Sequence, residues 1–302
     1  MGSLVRSNKK LQSVVGLLFI SIFLLGCSRD EADPVTPESP NQVVQKDQQD
    51  ESSKPYRFGI YTADAASTVV RQINPLIKNL EEQLGTEVLP FVYPDYEGGI
   101  DGIASGEVDF MRLGAASYVV VRERNPKIHL LAMESKKGKR SFNGVIAVHA
   151  DADFKTLAEL KGKRFAFGDQ LSTVGRYVSQ YTLMEAGVHG ADLAAYDYLD
   201  RHDKVGMAVA AEEYDAGALK EGTFKWLVEQ GEKIRVLKKF DVVTKPWVAR
   251  SDLEAERVEA LQAALFSLEL DSLKVVAKDG FLPAKDAYYQ PVRDAIKAST
   301  DF

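Results

Sequence analysis

A short polar stretch before a helical pattern is the part of this sequence best suited to chemistry. Residues 167–175 read FGDQLSTVG, so a β-type run ends near Gly168 and a helix begins at Ser172 and Thr173. The first amides of a helix lack partners within it and carry partial positive charge, so they favour anions. The two hydroxyls add donors, and Gly175 allows a close backbone approach. An ordinary helix N-cap has the same residues, so both interpretations stay open.

Three further side chains could join such a site. Tyr61 ends the first predicted strand, just before a polar loop and a helix. Arg112 ends an otherwise apolar strand, where its charge needs an anionic partner, either a ligand or an acid of the same lobe. His202 lies at a strand-to-helix turn, and such turns line the ligand crevice of open α/β sheets. The alternative for His202 is exposure beside a helix cap made by Asp200 or Asp203.

Recognised catalytic signatures are absent from the sequence. It contains no Walker motif, no Gly-x-Gly-x-x-Gly, no His-x-x-x-His and no Gly-x-Ser-x-Gly. Asp169, Asp203, Asp215 and Glu221 could serve an enzyme, but they form no obvious set with a nucleophile or an acid–base pair. Cys27 is the only cysteine, which excludes a disulfide within the chain and a Cys-based zinc site. We therefore expect a protein without catalytic activity, metal or cofactor.

Composition and charge narrow the class of protein further. The 302 residues are 45% hydrophobic and 27% charged, which is ordinary for globular proteins and long enough for about two domains. Lys and Arg number 38 against 44 Asp and Glu, a net charge of −6, and no basic tract occurs in the body. Nucleic-acid binding needs clustered basic residues, so this partner is not expected.

The body of the chain shows an alternation of strand and helix patterns. A strand at 57–61, a helix at 68–84 closed by Gly85 and a strand at 87–93 form a βαβ unit, which implies a parallel sheet. A second α/β set begins near residue 154 and includes a strand at 164–168 and a helix at 172–186. The pattern predicts two α/β lobes that are joined at more than one crossing, with candidate crossings at 143–149 and 239–245.

The N-terminus has the features of a secretory signal. A basic start with Arg6, Lys9 and Lys10 precedes an apolar run at 11–25, which is shorter than the ~20 residues that span a bilayer. Residues 24–27 read LLGC, which resembles the bacterial lipobox, and this resemblance implies lipidation of Cys27. The alternative is an uncleaved membrane anchor with an incidental cysteine. Residues 28–54 are polar and Pro-containing, which predicts a flexible tether.

Several motifs of the body together resemble a known family. They are YPDY at 93–96 followed by Gly98, VDF at 108–110 leading to Gly114, FGD at 167–169 before STVG at 172–175, and RHD at 201–203. The run 58–246 resembles the periplasmic substrate-binding proteins of phosphonate, phosphite and phosphate ABC transporters. This resemblance implies an α/β, two-lobe periplasmic binding protein of type II, in which hinge motion closes a ligand cleft between the lobes.

The resemblance also implies roles for particular residues. The phosphorus group would be held by the helix start, through the Ser172 and Thr173 hydroxyls and the Val174 and Gly175 amides. Tyr61 and His202 would complete the cage, and we expect Arg112 to neutralise charge.

Three positions depart from the family pattern. Some members have an aromatic residue where Arg112 stands. Val174 stands where phosphonate-binding members often have a serine, which removes one hydroxyl but keeps the backbone amide. Lys245 stands before Pro246, where members that recognise an aminoalkyl group have an acid. A cation there would repel an amine. We therefore expect phosphate, phosphite or a simple alkylphosphonate as the ligand.

The complete prediction is an extracytoplasmic, lipid-anchored, monomeric solute-binding protein that serves an ABC permease and its ATPase. Its predicted parts are a signal peptide at 1–26, lipidated Cys27 with a tether to residue 54, lobe 1 at 55–142 and 244–302, and lobe 2 at 143–243. It would lie in a bacterial cell envelope, facing the periplasm or the outside. The alternatives are a ligand-binding sensor component of a membrane signalling protein and, less favoured, an enzyme of the same fold.

Overall fold

A computed structural model describes residues 54–62, 66–273 and 276–302 of the chain. The predicted signal peptide, Cys27 and all of the predicted tether except Lys54 lie outside the described residues. Within the described ranges, no helix combines the length and the apolar character needed to cross a membrane.

Strands and helices alternate through the described body, as the sequence predicts. The strands are β1 Tyr56–Tyr61, β2 Val88–Tyr93, β3 Phe110–Arg112, β4 His129–Glu134, β5 Ser141–His149, β6 Arg164–Phe167, β7 Ala195–Tyr198, β8 Ala216–Lys220, β9 Ile234–Val243, β10 Pro246–Ala249 and β11 Phe281–Leu282. The α-helices are α1 Ala66–Leu84, α2 Tyr96–Ala104, α3 Ala115–Arg124, α4 Val178–Glu185, α5 His202–Ala210, α6 Glu221–Glu229, α7 Ala255–Ser267 and α8 Gln290–Ala298. Short 3₁₀ turns cover Leu157–Leu160, Gly190–Asp192, Leu270–Leu273, Asp286–Tyr289 and Ser299–Asp301.

The strands form two sheets. One has six strands in the order β11-β4-β10-β3-β1-β2, and the other has five in the order β7-β6-β8-β5-β9. β1 runs parallel to β2 and β3, and β6 runs parallel to β7 and β8, as expected for βαβ units. We call the six-stranded sheet with its helices lobe 1 and the five-stranded sheet with its helices lobe 2. The predicted α/β architecture with two lobes is confirmed.

The chain passes between the lobes at two places, of which the first differs from the candidate crossing 143–149 and the second lies at the end of the candidate crossing 239–245. Residues 143–149 lie within β5 and residues 239–243 within β9, and these two strands pair with each other in lobe 2. The passages themselves are the segments 135–140 and 244–245. A β-type pattern shows that a segment is extended, but it does not show which sheet the segment joins, because pairing partners are distant in sequence.

Two local elements also differ from the prediction. The helix at 172–186 begins with a π-helical turn, Thr173–Tyr177, which continues into α4 without a break. The wide turn arises because the Ser172 carbonyl accepts from the amides of both Arg176 and Tyr177. Such π turns are frequent at functional sites. Helix α6 has no counterpart among the predicted elements.

The core of lobe 1 holds its central strands together through stacked aromatic rings. Phe58 of β1, Phe110 of β3 and Trp247 of β10 are fully buried. The Phe58 ring stacks on that of Trp247 with 5.1 Å between centroids, and on that of Phe110 with 4.9 Å. Burial of each such side chain contributes roughly 1.5–3 kcal/mol. The stack therefore fixes the relative positions of the strand ends that carry Tyr61 and Arg112.

In lobe 2, two glycines bring the start of the π turn against the end of β6. The Gly168 amide donates to the Gly175 carbonyl at 2.8 Å. A Cβ atom added at Gly175 would lie 2.8 Å from the Cα atom of Gly168, which is closer than such atoms approach. The two backbones thus pack directly, and no larger residue fits at Gly175 without displacement.

The end of the chain contacts lobe 2, although the sequence places 244–302 with lobe 1. Helix α8 packs on α3 of lobe 1 and on α4 of lobe 2. Beyond it, the Ser299 hydroxyl hydrogen-bonds to the Gln180 side chain, and the Gly190 amide donates to the Phe302 carbonyl at 2.9 Å. The last helix therefore connects the two lobes a third time, through packing rather than through chain continuity.

A buried carboxylate ties three segments of lobe 1 together. Asp109, just before β3, accepts hydrogen bonds from the Arg57 amide at 2.8 Å, the Arg57 guanidinium at 2.8 Å and the Arg250 Nε at 2.8 Å. Burial acts to raise the pKa of this carboxyl, but the hydrogen bonds and charges of the two arginines outweigh it and hold the pKa below its ordinary value. Asp109 thus positions the strand that ends at Arg112.

We predict that Asp109→Asn lowers the free energy of unfolding by about 3 kcal/mol, because it leaves two arginines around an uncharged amide. The matched control is Asp101→Asn, since Asp101 forms an exposed pair with Arg124 that is worth less than about 1 kcal/mol. Urea unfolding of both variants measures the difference. Equal losses in the two variants would contradict a structural role for Asp109.

Candidate functional site

A small enclosed cavity lies between the two lobes. Its volume is about 20 Å³, little more than the ~10–15 Å³ that one water molecule needs on the same measure. Both lobes contribute to its wall. The lining residues are Tyr61, Tyr96, Gly114, Ala115, Phe142, Ser172, Thr173, Val174, Lys220, Val242, Val243 and Lys245.

Two helix N-termini meet at this cavity. Helix α3 begins after Gly114, and the continuous helix 173–185 begins after Ser172. The Ala116 amide of lobe 1 donates a hydrogen bond to Thr173 Oγ1 of lobe 2 at 2.9 Å, so the two starts are in direct contact. The first amides of each helix lack partners within the helix, and both dipoles have their positive ends here. The backbone alone therefore makes this region favourable for an anion.

Ser172 serves both as an N-cap and as part of the cavity wall. Its hydroxyl accepts from the Gly175 amide at 3.0 Å, which is the geometry of an ordinary N-cap. Ser172 also lines the cavity together with Tyr96 of lobe 1. The two interpretations of this helix start are thus compatible, because the capping residue also faces the cavity.

Two tyrosines form the lobe 1 side of the cavity. The rings of Tyr61 and Tyr96 lie 4.3 Å apart between centroids. The Tyr61 hydroxyl contacts Ser117 and the backbone of Gly114 at the start of α3. Burial raises the pKa of both phenols above the ordinary value, so both keep their protons and can donate to an acceptor.

Two lysines supply positive charge to the cavity. Lys220 ends β8 of lobe 2, and Lys245 lies in the passage from β9 to β10. Loss of hydration lowers the pKa of Lys220 to about 8 and that of Lys245 well below its ordinary range, and the charge of Arg112 adds to both effects. Glu134 acts in the opposite direction on both. Of the described residues that line the cavity, none is an acid.

Arg112 lies beside the enclosed cavity and does not line it. Its guanidinium makes a bidentate ion pair with Glu134 of the same lobe, with Nη2–Oε2 at 3.2 Å. Glu134 also accepts from Trp247 Nε1 at 3.3 Å. Arg112 and Glu134 instead line a larger adjoining cavity of about 660 Å³, which Lys220 and Lys245 also border. A ligand contact for Arg112 stays a prediction.

His202 lies at the start of α5 and borders a different cavity from Arg112. It lines a cavity of about 540 Å³ that also includes Tyr61, Tyr96, Lys220 and Lys245. Burial lowers the pKa of its imidazole well below the ordinary value, and the charges of the two lysines add to this effect. The ring is thus neutral, and its buried Nδ1 has no hydrogen-bond partner among the described residues. His202 could therefore accept a hydrogen bond.

The structure separates the predicted site residues into two groups. Tyr61, Ser172, Thr173 and Val174 line the enclosed cavity, with Gly175 directly behind them. Arg112 and His202 border the two neighbouring cavities. Among the residues that the structure describes, no group of three or more His, Cys, Asp or Glu is arranged to hold a metal ion.

The sequence reasoning missed three parts of the cavity wall: Tyr96, the start of α3 and Lys220. A signal existed for two of them. Tyr96 belongs to the YPDY motif and follows Asp95, which caps α2 by accepting from the Gly98 amide at 2.8 Å. Lys220 ends the apolar strand AGALK, in the same way that Arg112 ends β3. The start of α3 gave no comparable signal, because Gly114 has no capping side chain.

Comparisons with known proteins agree with this geometry. The family model described as "ABC transporter, phosphonate, periplasmic substrate-binding protein" matches residues 58–289. The phosphate-import protein PhnD of Mycolicibacterium smegmatis is 30% identical over 225 residues, covering 71% of this chain and 68% of its own length. The probable ABC transporter phosphite binding protein PhnD1 of Prochlorococcus marinus is 28% identical over 212 residues, covering 67% of this chain and 71% of its own.

A solved structure supports the same fold. It is that of PhnD1 from Prochlorococcus marinus in complex with methylphosphonate, with a TM-score of 0.70 and 22% identity. The superposition covers 82% of this chain and 99% of that one, which fits a two-lobe periplasmic binding protein of type II. Because the family model spans well over half of the sequence, the chain belongs to the family of periplasmic substrate-binding proteins of phosphonate ABC transporters.

Proposed function

We propose that the protein is an extracytoplasmic solute-binding lipoprotein that captures a phosphorus oxyanion for an ABC importer. The observation that carries this proposal is the enclosed cavity between the lobes. Two helix N-termini, Lys220 and Lys245 face it, and no acid is present among the described residues of its wall. Such an arrangement costs free energy until an anion supplies the missing negative charge.

The anion would be held mainly by charge-assisted hydrogen bonds, which are about twice as strong as neutral ones. The donors we assign to it are the Tyr61, Ser172 and Thr173 hydroxyls and the amides of Val174 and Gly175. Tyr96 adds a further phenol. The Ser172 hydroxyl now accepts from the Gly175 amide, and the Thr173 hydroxyl accepts from the Ala116 amide across the cleft. An anion between the lobes would replace these contacts with stronger ones to its own oxygens.

Arg112 and His202 would act on the anion from the two cavities that adjoin the enclosed cavity. Arg112 is held by Glu134 and contributes positive potential. His202 is neutral, and its buried Nδ1 has no partner among the described residues, so it can form a hydrogen bond with a ligand oxygen. The proposed role is binding alone, because the family to which the chain belongs consists of substrate-binding components of ABC transporters.

The expected ligand is phosphate, phosphite or a simple alkylphosphonate. The similar proteins described above are a phosphate importer component, a phosphite-binding protein and a structure with methylphosphonate. The cavity is compact, which favours a small tetrahedral group. The ammonium of Lys245 would repel a cationic aminoalkyl chain.

Delivery to the importer depends on the N-terminal region. We propose that Cys27 is lipidated and that residues 28–54 tether the body to the membrane, where it meets the permease and its ATPase as a monomer. Stable anchoring takes more than one acyl chain, and lipoprotein processing supplies several.

Calorimetric titration tests the ligand class. We expect tight binding, with a dissociation constant below about 1 μM, for at least one of phosphate, phosphite and methylphosphonate.

The double variant Ser172→Ala/Thr173→Val should bind at least about tenfold more weakly, because it removes two donors to a charged group. Thr156→Val is the control, since Thr156 caps an exposed 3₁₀ turn of lobe 2. Binding of sulfate, nitrate or an amino acid but none of the three phosphorus anions would refute the ligand class, and unchanged affinity in the double variant would leave Ser172 and Thr173 as N-cap residues only.

Membrane fractionation tests the anchor. The variant Cys27→Ser should move the protein from the membrane fraction to the soluble fraction and abolish incorporation of labelled fatty acid, because Cys27 is the only thiol of the chain. Ser28→Ala serves as a neighbouring control that should stay with the membrane. Persistent membrane association of Cys27→Ser would point instead to an uncleaved N-terminal anchor.

A further inference from the structure

Two lysines, Lys220 and Lys245, line the enclosed cavity, and none of the described residues in its wall is an acid. The Arg112 charge is balanced by Glu134. Glu221, next to Lys220 in the chain, pairs with Lys239 at 2.9 Å and Lys225 at 3.2 Å.

Near His202, the acids Asp200 and Asp203 border the neighbouring cavity of about 540 Å³ but do not line the enclosed one. Asp203, next to His202, pairs with the guanidinium of Arg201. His202 is neutral, and the phenols of Tyr61 and Tyr96 keep their protons. With both lysines protonated, the described groups that line the enclosed cavity therefore carry two positive charges, one from each lysine.

The positions of the two lysines place their charges where a ligand between the lobes would bind. Lys220 and Lys245 line the enclosed cavity and also both neighbouring cavities, so they stand at the junction of the three. Lys220 comes from lobe 2, and Lys245 comes from the segment that returns the chain to lobe 1. An anion between the lobes thus meets one ammonium from lobe 2 and a second from the connecting segment.

We propose that Lys220 and Lys245 make the cleft select anions with two negative charges over anions of the same shape with only one. This inference rests on the proposed function and adds the charge state of the ligand to it. A dianion compensates both lysines, whereas a monoanion leaves one charge in a poorly hydrated position without a partner, which is costly. The cleft would accordingly bind a doubly charged phosphonate more tightly than a singly charged sulfonate of equal shape.

The electrostatics of the lysines agree with this proposal. Loss of hydration and the charge of Arg112 lower the pKa of both ammonium groups, which shows that the surrounding protein alone does not stabilise their charged forms. An anion that restores full charge on both lysines must itself carry enough negative charge to balance them.

Paired titrations with methylphosphonate and methanesulfonate test the proposal at a mildly alkaline pH, where methylphosphonate has lost its second proton and methanesulfonate is still a monoanion. These two ligands have the same tetrahedral shape and differ in charge. We expect the wild-type protein to bind methylphosphonate at least about a hundredfold more tightly. Lys220→Gln and Lys245→Gln should each reduce this ratio at least about tenfold, because they weaken methylphosphonate binding far more than methanesulfonate binding. Lys225→Gln is the control, since Lys225 is exposed, pairs with Glu221 and does not line the enclosed cavity.

The outcomes separate this inference from the proposed function. Equal losses of affinity for both ligands in the lysine variants, or equal affinities in the wild type, would overturn charge selection while leaving anion binding intact. Failure of the wild type to bind any phosphorus oxyanion would instead refute the proposed function.

Thermal unfolding gives a second readout that does not require a tight ligand. Lys220→Met should raise the melting temperature measured without added anion, because an apolar side chain replaces a poorly hydrated charge without an acidic partner. Added methylphosphonate should then raise the melting temperature of Lys220→Met less than that of the wild type. A lower melting temperature without anion would show that Lys220 has a structural partner, and this result would also overturn the proposal.

Discussion

Burying a positive charge in a protein without a counter-ion costs free energy. Two lysines in the cleft of this protein are in this situation. Lys220 and Lys245 lose most of their hydration between the lobes, and two helix N-termini add their partial charges at the same place. No acid lies among the described residues of the enclosed cavity's wall, and Glu134 and Glu221 nearby are paired with Arg112 and Lys239. The free energy of the closed cleft is therefore linked to the anion that it binds, which couples closure to ligand capture.

Each lobe holds its own part of the site rigidly. In lobe 1, the aromatic stack of Phe58, Phe110 and Trp247 and the carboxylate of Asp109 fix the strands that end near Tyr61 and Arg112. In lobe 2, the contact between Gly168 and Gly175 fixes the helix start. Because well-packed cores resist continuous deformation, the site is best assembled and opened by movement of whole lobes. Helix α8, which packs on both lobes, would have to follow such a movement.

Much of this architecture could be predicted from local sequence patterns. The βαβ unit of β1, α1 and β2 follows from hydrophobic periodicity and Gly85, and the helix start at Ser172 follows from its capping residues. The π turn could not be predicted, because it depends on which backbone amides reach the Ser172 carbonyl. The first crossing was misplaced and the second was drawn too long for a similar reason, since β5 and β9 are extended whether they join the lobes or pair within one sheet.

By itself, the sequence determined the alternation of strands and helices, the polar helix start at Ser172 and Thr173, and the presence of basic residues at the ends of apolar strands. Only the tertiary structure decided which of these basic residues has a partner. Arg112 meets Glu134, 22 residues further along the chain, whereas Lys220 and Lys245 meet no acid in the cavity wall that the structure describes. The reason is physical: an ion pair depends on the distance in space between two side chains, and sequence spacing does not fix that distance for residues on different strands.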